Sequence, residues 1–311
     1  MMRSILVSAH NPMTGPRHLG HYLSTMCDWP RLQNDHELFI VIDDLIASIL
    51  YPRAAKELQD RTLQVAREFA ATGIDLDENW IVLTSMVPEA HELALFTSLA
   101  IDHHWCNKLY RESFAGLLSS YQRQELRMPR NASLAEFVYP QLHLATLTLG
   151  LRADLFQGGE EMRGYMDIMR AMSEGTVGRR VELRPPALLT SKSTFVLGTD
   201  GKHMGSENAI YLSASESEIK EAASRVTASA TWRQWLTAWD DDVASAKAGS
   251  DKSPEEMAST LVTRLAKFRE NKTTNHELVE VFERSAVVAR ERLKETLVRV
   301  KASMGIPGFV H

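Results

Sequence analysis

Cysteine is nearly absent: only Cys27 and Cys106 occur among 311 residues, at no metal-ligand spacing. That excludes a disulfide framework and a thiolate metal cage, and it fits a reducing, cytoplasmic setting. No stretch approaches the ~18 consecutive apolar residues of a membrane span. The start, Met1-Met2-Arg3-Ser4-Ile5-Leu6-Val7, lacks the apolar run and cleavage site of a secretory leader. Positive charge is not in excess either. Thirty-five Lys and Arg against forty Asp and Glu leave a net charge of −5. A generic polyanion binder held by bulk charge is thereby excluded, and only a local basic patch stays open. There is no internal repeat and no low-complexity segment. What remains is 44% hydrophobic and 24% charged, an ordinary globular composition. At about 150 residues per domain the length suits two domains, or one large α/β domain.

Short apolar, β-branched runs at 4–8, 38–42 and 80–84 predict buried strands. A fourth is predicted near 154–156. Between them, helical periodicity predicts helices over about 18–32 and 53–71, the latter stopped by Gly73. Alternating strands and helices predict an α/β fold with a parallel sheet covered on both faces, its ligands at the carboxyl ends of the strands. The stretch from about 89 to 149 is expected to be mostly helical, with a loop near 128–131. A helix is expected over about 160–172, then irregular chain from Pro185-Pro186 to Gly205, a loop over 247–254, and a last helix over about 275–304 ended by Gly305 and Pro307.

The most informative segment is Thr14-Gly15-Pro16-Arg17-His18-Leu19-Gly20-His21-Tyr22. It follows the first strand and opens a helix. Glycine lets backbone approach a ligand closely, a helix start offers free N–H groups to phosphate, and histidines three apart share one turn. An anionic nucleotide tail is the natural guest. The same pattern also fits a capped helix start with two surface histidines.

His18-Leu19-Gly20-His21 resembles the HIGH signature of class I aminoacyl-tRNA synthetases, and its context resembles the tryptophanyl-tRNA synthetase family. Asp28-Trp29 through Leu32-Gln33 and then Phe39-Ile40-Val41-Ile42-Asp43-Asp44-Leu45 are similar to that family's first helix and second strand. Ser85-Met86-Val87-Pro88-Glu89-Ala90-His91-Glu92-Leu93 resembles QSxVPExxEL. Tyr139-Pro140-Gln141-Leu142, followed by Arg152-Ala153-Asp154-Leu155, resembles YPVLxAADIL…ADL. Pro186 to Thr190, Gly198-Thr199-Asp200-Gly201 and Asn208 to Leu212 continue as the family does. The resemblance covers nearly the whole chain, in the right order. It implies a Rossmann-like catalytic domain over 1–213, with a helical dimer-interface insertion at about 89–149. It also implies a helical C-terminal domain over 214–311 and a homodimer. The implied reaction activates an amino acid, tryptophan or a relative, with ATP to an aminoacyl-adenylate, for transfer to tRNA. His18 and His21 would contact the phosphates, Thr14 and Gly15 would border the α-phosphate, and Gly20 would leave room for adenine. Magnesium would travel with ATP, and no protein-held metal is expected.

The departures are as informative. Where the family reads KMSKS, this chain reads Lys202-His203-Met204-Gly205-Ser206-Glu207-Asn208. The loop is about two residues shorter, no lysine follows Met204, and Glu207 adds an anion. Losing a cation at a developing charge costs several kcal/mol; Lys202 is the candidate substitute, and a plain structural turn is the alternative. In the amino-acid pocket, implied to include Ser8 and Tyr139, Thr146 takes the place of the aspartate that accepts the indole N–H. His143 precedes it by three. GxDQ becomes Gly159-Glu160-Glu161-Met162, which keeps a carboxylate for the ribose at Glu161 and loses the glutamine that meets the ammonium. A hydroxyl in place of a carboxylate weakens selection for an indole donor. Two further readings therefore stand beside tRNA charging. One is a paralogue that activates another amino acid for a small-molecule acceptor, and the other is a binding paralogue without catalysis. Elsewhere, Met162, Met166, Met169 and Met172, and Trp232, Trp235 and Trp239, are expected as core stripes. His103-His104 has no ligand-like partner in sequence, and Arg123, Arg127 and Arg130 read as a solvated or dimer-edge surface.

Overall fold

The computed structural model describes residues 3–102, 105, 134–159, 162–190, 195–226, 229–240 and 253–306, with backbone alone at 134, 136–141 and 240. His103, His104, Cys106, Arg123, Arg127, Arg130, Glu160 and Glu161 lie outside the described residues.

The apolar runs form the strands they predict. β1 (Ser4–His10), β2 (His36–Ile42), β3 (Trp80–Leu83), β4 (Leu155–Gln157) and β5 (Ala187–Leu189) make one sheet in the order β3-β2-β1-β4-β5, parallel throughout. The chain winds outward from β1 in both directions, so the topological switch point lies between β1 and β4. Ligand crevices of open parallel sheets form there, beyond the carboxyl ends. β5 falls inside the stretch expected to be irregular. Its three residues are too short for a periodic signal, and its pairing with β4 creates it.

The helix expected over 18–32 is three pieces: α1 (Leu19–Ser24), a 3-10 turn (Met26–Asp28) and α2 (Trp29–Leu32). The break at Thr25 has a tertiary cause. Gln157 at the end of β4 donates to the Thr25 carbonyl at 3.2 Å and accepts from Trp29 Nε1 at 2.8 Å. α3 (Asp44–Leu50), α4 (Ala55–Ala70), α5 (Glu89–Thr97), α6 (Leu134–Gly150), α7 (Arg163–Glu174) and α8 (Thr176–Val181) follow. After them come α9 (Glu216–Ser224), α10 (Ser229–Asp240), α11 (Pro254–Arg269) and α12 (Asn275–Ser303).

Alternation along β1 divides the core. Leu6 packs with Leu19, Trp29, Phe69, Met204, Trp232, Trp235 and Leu261 on one face. Ile5 and Val7 pack with Phe39, Leu142, Ala145, Met169, Met172 and Leu293 on the other. The methionine and tryptophan stripes are core, as expected; Met162, Met166 and Trp239 are half-buried at its edge. The last helix returns to the sheet: Ser285 Oγ accepts from Ile81 N at 3.1 Å, and Arg292 pairs with Glu37 at 2.6 Å. No described helix is long and apolar enough to cross a membrane.

Candidate active site

The loop from His10 to His18 leaves β1 at the switch point. Asn11 caps a 3-10 turn (Pro12–Thr14) by accepting from Met13 N, and Gly15 follows with φ of +94°, a conformation that favours glycine. α1 then opens on a histidine cap. His18 Nδ1 accepts from Gly20 N at 3.1 Å, and His21 Nδ1 accepts from His18 N at 3.3 Å. A ring nitrogen that accepts carries no proton, so in each neutral imidazole the proton is assigned to Nε2. The two rings lie 3.8 Å apart at 34°. Burial, with the Arg17 charge second, holds His18 down to about 3 and His21 well below its ordinary value. At neutral pH the turn therefore offers two uncharged Nε2–H donors.

Arg17, 1% exposed, is the loop's anchor. Its Nη2 donates to the Asn11 carbonyl at 3.1 Å, to Thr14 Oγ1 at 2.8 Å and to the Gly15 carbonyl at 2.7 Å. Its backbone N–H donates to Glu68 Oε2 at 2.8 Å. Burial lowers Arg17 to about 10, so it stays charged, and raises Glu68 to about 7 against the pull of Arg17. Thr14 spends its own proton on the Asn11 carbonyl at 2.9 Å. Its hydroxyl is thus already engaged on both sides.

The signature loop closes on this turn from the other side. Leu19 N donates to the Ile210 carbonyl and Leu212 N to the Arg17 carbonyl, so residues 210–212 run beside the HLGH start. Met204, 4% exposed, brings its sulfur 3.0 Å from Gly20 N. Asn208 staples the loop: its Nδ2 donates to Asp200 Oδ1 at 2.6 Å and to the His203 carbonyl at 3.1 Å, and its Oδ1 accepts from Gly205 N at 2.7 Å. Lys202 is exposed on the tight turn between Gly198 and Met204. A Cβ on Gly20 would lie 2.9 Å from His18 ring atoms and 3.2 Å from Met204 Sδ. Gly20→Ala is expected to displace the cap and weaken nucleotide binding at least about tenfold, roughly 1.4 kcal/mol, as read by calorimetry with a non-hydrolysable ATP analogue.

Further groups border the crevice. His10 packs edge-on against Trp29 and tilted against Phe69, and burial brings it down to about 3. Asp43, at the end of β2, accepts from Thr84 Oγ1 at 3.0 Å and is pushed up to about 7, chiefly by burial. Asp43 in turn adds to the burial that raises the Tyr165 phenol. In the unfolded chain Asp43 ionises near its ordinary 3.8, whereas the folded chain keeps its proton to about 7. Its ionisation therefore destabilises the fold increasingly from about pH 4 to about pH 7. Asp43→Asn is expected to raise the midpoint of urea unfolding more at pH 8 than at pH 5; a smaller gain at pH 8 contradicts this.

The implied amino-acid pocket is divided by the sheet. Ser8 is buried and its Oγ lies 3.2 Å from His10 Nε2, on the Trp29 side. His143 and Thr146 belong to α6, which packs against the opposite face. Ser8 is therefore not brought together with them, because it shares the parity of Leu6 and His10 on β1. Tyr139 is on the α6 backbone. Gly158 and Gly159 follow β4, and Met162 precedes α7 with its N–H on the Gly159 carbonyl at 3.0 Å. A Cβ on Gly158 would meet Met162 Cγ at 2.5 Å. Among the described residues no group of three or more His, Cys, Asp or Glu could hold a metal ion.

Sequence reasoning passed over Arg17, Asp43 and Asn208. The signal for Arg17 was Glu68, a carboxylate beside Val65 and Phe69 on the apolar stripe of α4.

The family described as tRNA synthetases class I (W and Y) matches residues 4–301. A tryptophan--tRNA ligase of Treponema pallidum is 26% identical over 336 residues, covering 94% of each chain. One of Prochlorococcus marinus is 24% identical over 204 residues, 66% of this chain; that match spans 57% of the relative's length. Among solved structures, tryptophanyl-tRNA synthetase of Campylobacter jejuni complexed with ADP and tryptophan has the same fold. Its TM-score is 0.79 at 19% identity, with 98% of this chain and 100% of that one covered. Tyrosyl-tRNA synthetase of Archaeoglobus fulgidus is more distant, at TM-score 0.59 and 18% identity. With the switch-point crevice, the HLGH turn and a family match across nearly its whole length, this chain belongs to the class I tRNA synthetases of the tryptophan and tyrosine type.

Proposed function

We propose that this chain activates an aromatic amino acid with ATP. The amino-acid carboxylate attacks the α-phosphorus, an acyl–phosphate bond forms, the α–β phosphate bridge breaks, and pyrophosphate leaves. No side chain becomes covalently attached; the protein positions the reactants and stabilises charge. The observation that carries this reading is the histidine cap, whose two Nδ1 atoms are spent on backbone, leaving two preset Nε2–H donors for phosphate oxygens. Gly20 keeps that surface open for the base, and Gly15 allows the loop its turn toward the α-phosphate. Gly159 and Glu161 belong to the ribose side, with Met204 as the lid of the same cradle. Magnesium arrives with the triphosphate.

The signature loop has no lysine after Met204, so Lys202 supplies the cation for the leaving pyrophosphate. The amino-acid side is served by Tyr139 and Met162 near the ammonium and by His143 and Thr146 near the side chain. Thr97 Oγ1 gives its proton to the Leu93 carbonyl, so Thr146 donates to Thr97 at 3.3 Å and keeps only lone pairs for a ligand. The pocket is thus a weak acceptor where its relatives have a carboxylate. A catalytic unit over 1–213, a helical unit over 214–311, a homodimer and tRNA as acceptor complete the reading.

Pyrophosphate exchange into ATP with each amino acid in turn tests it. Stimulation by an aromatic amino acid, abolished in Lys202→Ala, is expected. Subsequent charging of tRNA assigns that acceptor; exchange without charging assigns a small-molecule acceptor. Saturable binding with no exchange overturns catalysis and leaves a binding paralogue.

A further inference from the structure

α5 and α6 pack through an apolar seam that includes Ala90, Leu142 and Ala145. Two polar pairs interrupt it. Thr97 and Thr146 satisfy each other. His91 and His143 do not: their rings lie 4.8 Å apart at 33°, and His143 is 1% exposed. His143 Nδ1, His143 Nε2 and His91 Nε2 are buried with no hydrogen-bond partner. Each such group left unsatisfied costs about 1–3 kcal/mol, so three together call for a ligand that repays them. α6 also packs against α3, which begins beside Asp43, and against α7, which begins beside Met162. The unsatisfied pair therefore lies in the seam between α5 and the helix that also borders α3 and α7.

Burial keeps His143 at about 4, hence neutral. A neutral imidazole carries one N–H and one lone pair. Two such rings present both a donor and an acceptor inside an apolar wall. A phenyl ring satisfies neither, and an unsubstituted indole, with a lone N–H, satisfies only an acceptor. A hydroxyl satisfies both, because it accepts from one ring and donates to the other.

We infer that His91 and His143 select an aromatic amino acid whose ring carries a hydroxyl group, a phenol or a hydroxylated indole. This rests on the reading of α6 as the amino-acid wall, and it assigns a specificity role to His91. Buried groups left unpaired by the wrong substrate discriminate far more strongly than a lost methylene.

The test is a ratio measured on the full chain. Tyrosine against phenylalanine, and 5-hydroxytryptophan against tryptophan, are compared by calorimetric binding and by kcat/KM of pyrophosphate exchange. The hydroxylated member of at least one pair is expected to win by about 100-fold or more, and the pair that wins tells phenol from indole. His91→Phe and His143→Phe are expected to bring that ratio close to 1. Both variants fill the seam with apolar groups of similar size and remove unsatisfied nitrogens, so the fold is expected to hold. Wild-type ratios near or below 1 overturn the inference, as does a high ratio that survives both substitutions. Exchange with plain tryptophan alone would overturn it while leaving adenylation intact. Absence of exchange with every amino acid would end the catalytic reading, and the binding ratio would still decide the role of the pair.

Discussion

Replacing His18 and His21 together lowers amino-acid-dependent pyrophosphate exchange by at least about 10³-fold. One preorganised donor aimed at developing charge is worth about 10²–10³ in rate, and this turn carries two. Both rings also cap α1, and loss of a cap costs about 0.5–2 kcal/mol, so alanine alone would mix folding with function. His18→Asn with His21→Gln separates them. Asparagine is a strong cap residue and keeps an oxygen for Gly20 N. The amide pair is expected to retain the unfolding midpoint and still lose exchange. Because both imidazoles are held neutral by burial, the wild-type rate owes no acid limb between pH 6 and 8 to these residues. Exchange at the wild-type level in the amide pair would contradict their role.

Arg17→Leu is expected to destabilise the fold by several kcal/mol, about 1–3 for each buried acceptor that loses its donor. Glu68 would be left buried beside Arg17's former place, with only the position-17 N–H and Ser213 as partners, and the carbonyls of Asn11 and Gly15 would lose their donor. Arg17→Leu combined with Glu68→Leu is expected to recover only the part of that loss that comes from the uncompensated Glu68 carboxylate, because the Asn11 and Gly15 carbonyls still lack their donor. Nucleotide affinity is expected to stay low in the double variant, because no cation then fixes the Asn11–Gly15 loop. Denaturant unfolding and calorimetry read the two effects separately. Full recovery of both would reduce Arg17 to a packing residue.

Much of the fold was legible because its signals are local. The runs at 4–8, 38–42 and 80–84 are continuous and β-branched, and the sheet that buries both faces of each is the cheapest place for them. What escaped depends on distant partners. Thr25 reads as helix interior until Gln157 takes its carbonyl. The three residues of β5 become a strand only beside β4. The turn at HLGH was readable as a phosphate site, yet its tautomers follow from hydrogen bonds that only coordinates give. Arg17 went unread, because the acceptors its guanidinium holds, and the Glu68 carboxylate 51 positions away that takes its N–H, come together only in the folded loop. Ser8 entered the amino-acid pocket only through the resemblance; strand parity puts it on the face of Leu6 and His10, away from α6. His91 lay inside a segment whose resemblance was strong, and that likeness hid a residue whose unsatisfied nitrogen is visible only in the folded seam.

The most direct test of the nucleotide assignment is a crystal structure of the chain with a non-hydrolysable ATP analogue. The account predicts the triphosphate against the Gly15–His21 turn, with His18 Nε2 and His21 Nε2 each within about 3.2 Å of a phosphate oxygen and Met204 beside the base. A nucleotide bound elsewhere, or one in the crevice with both rings turned from its phosphates, contradicts it.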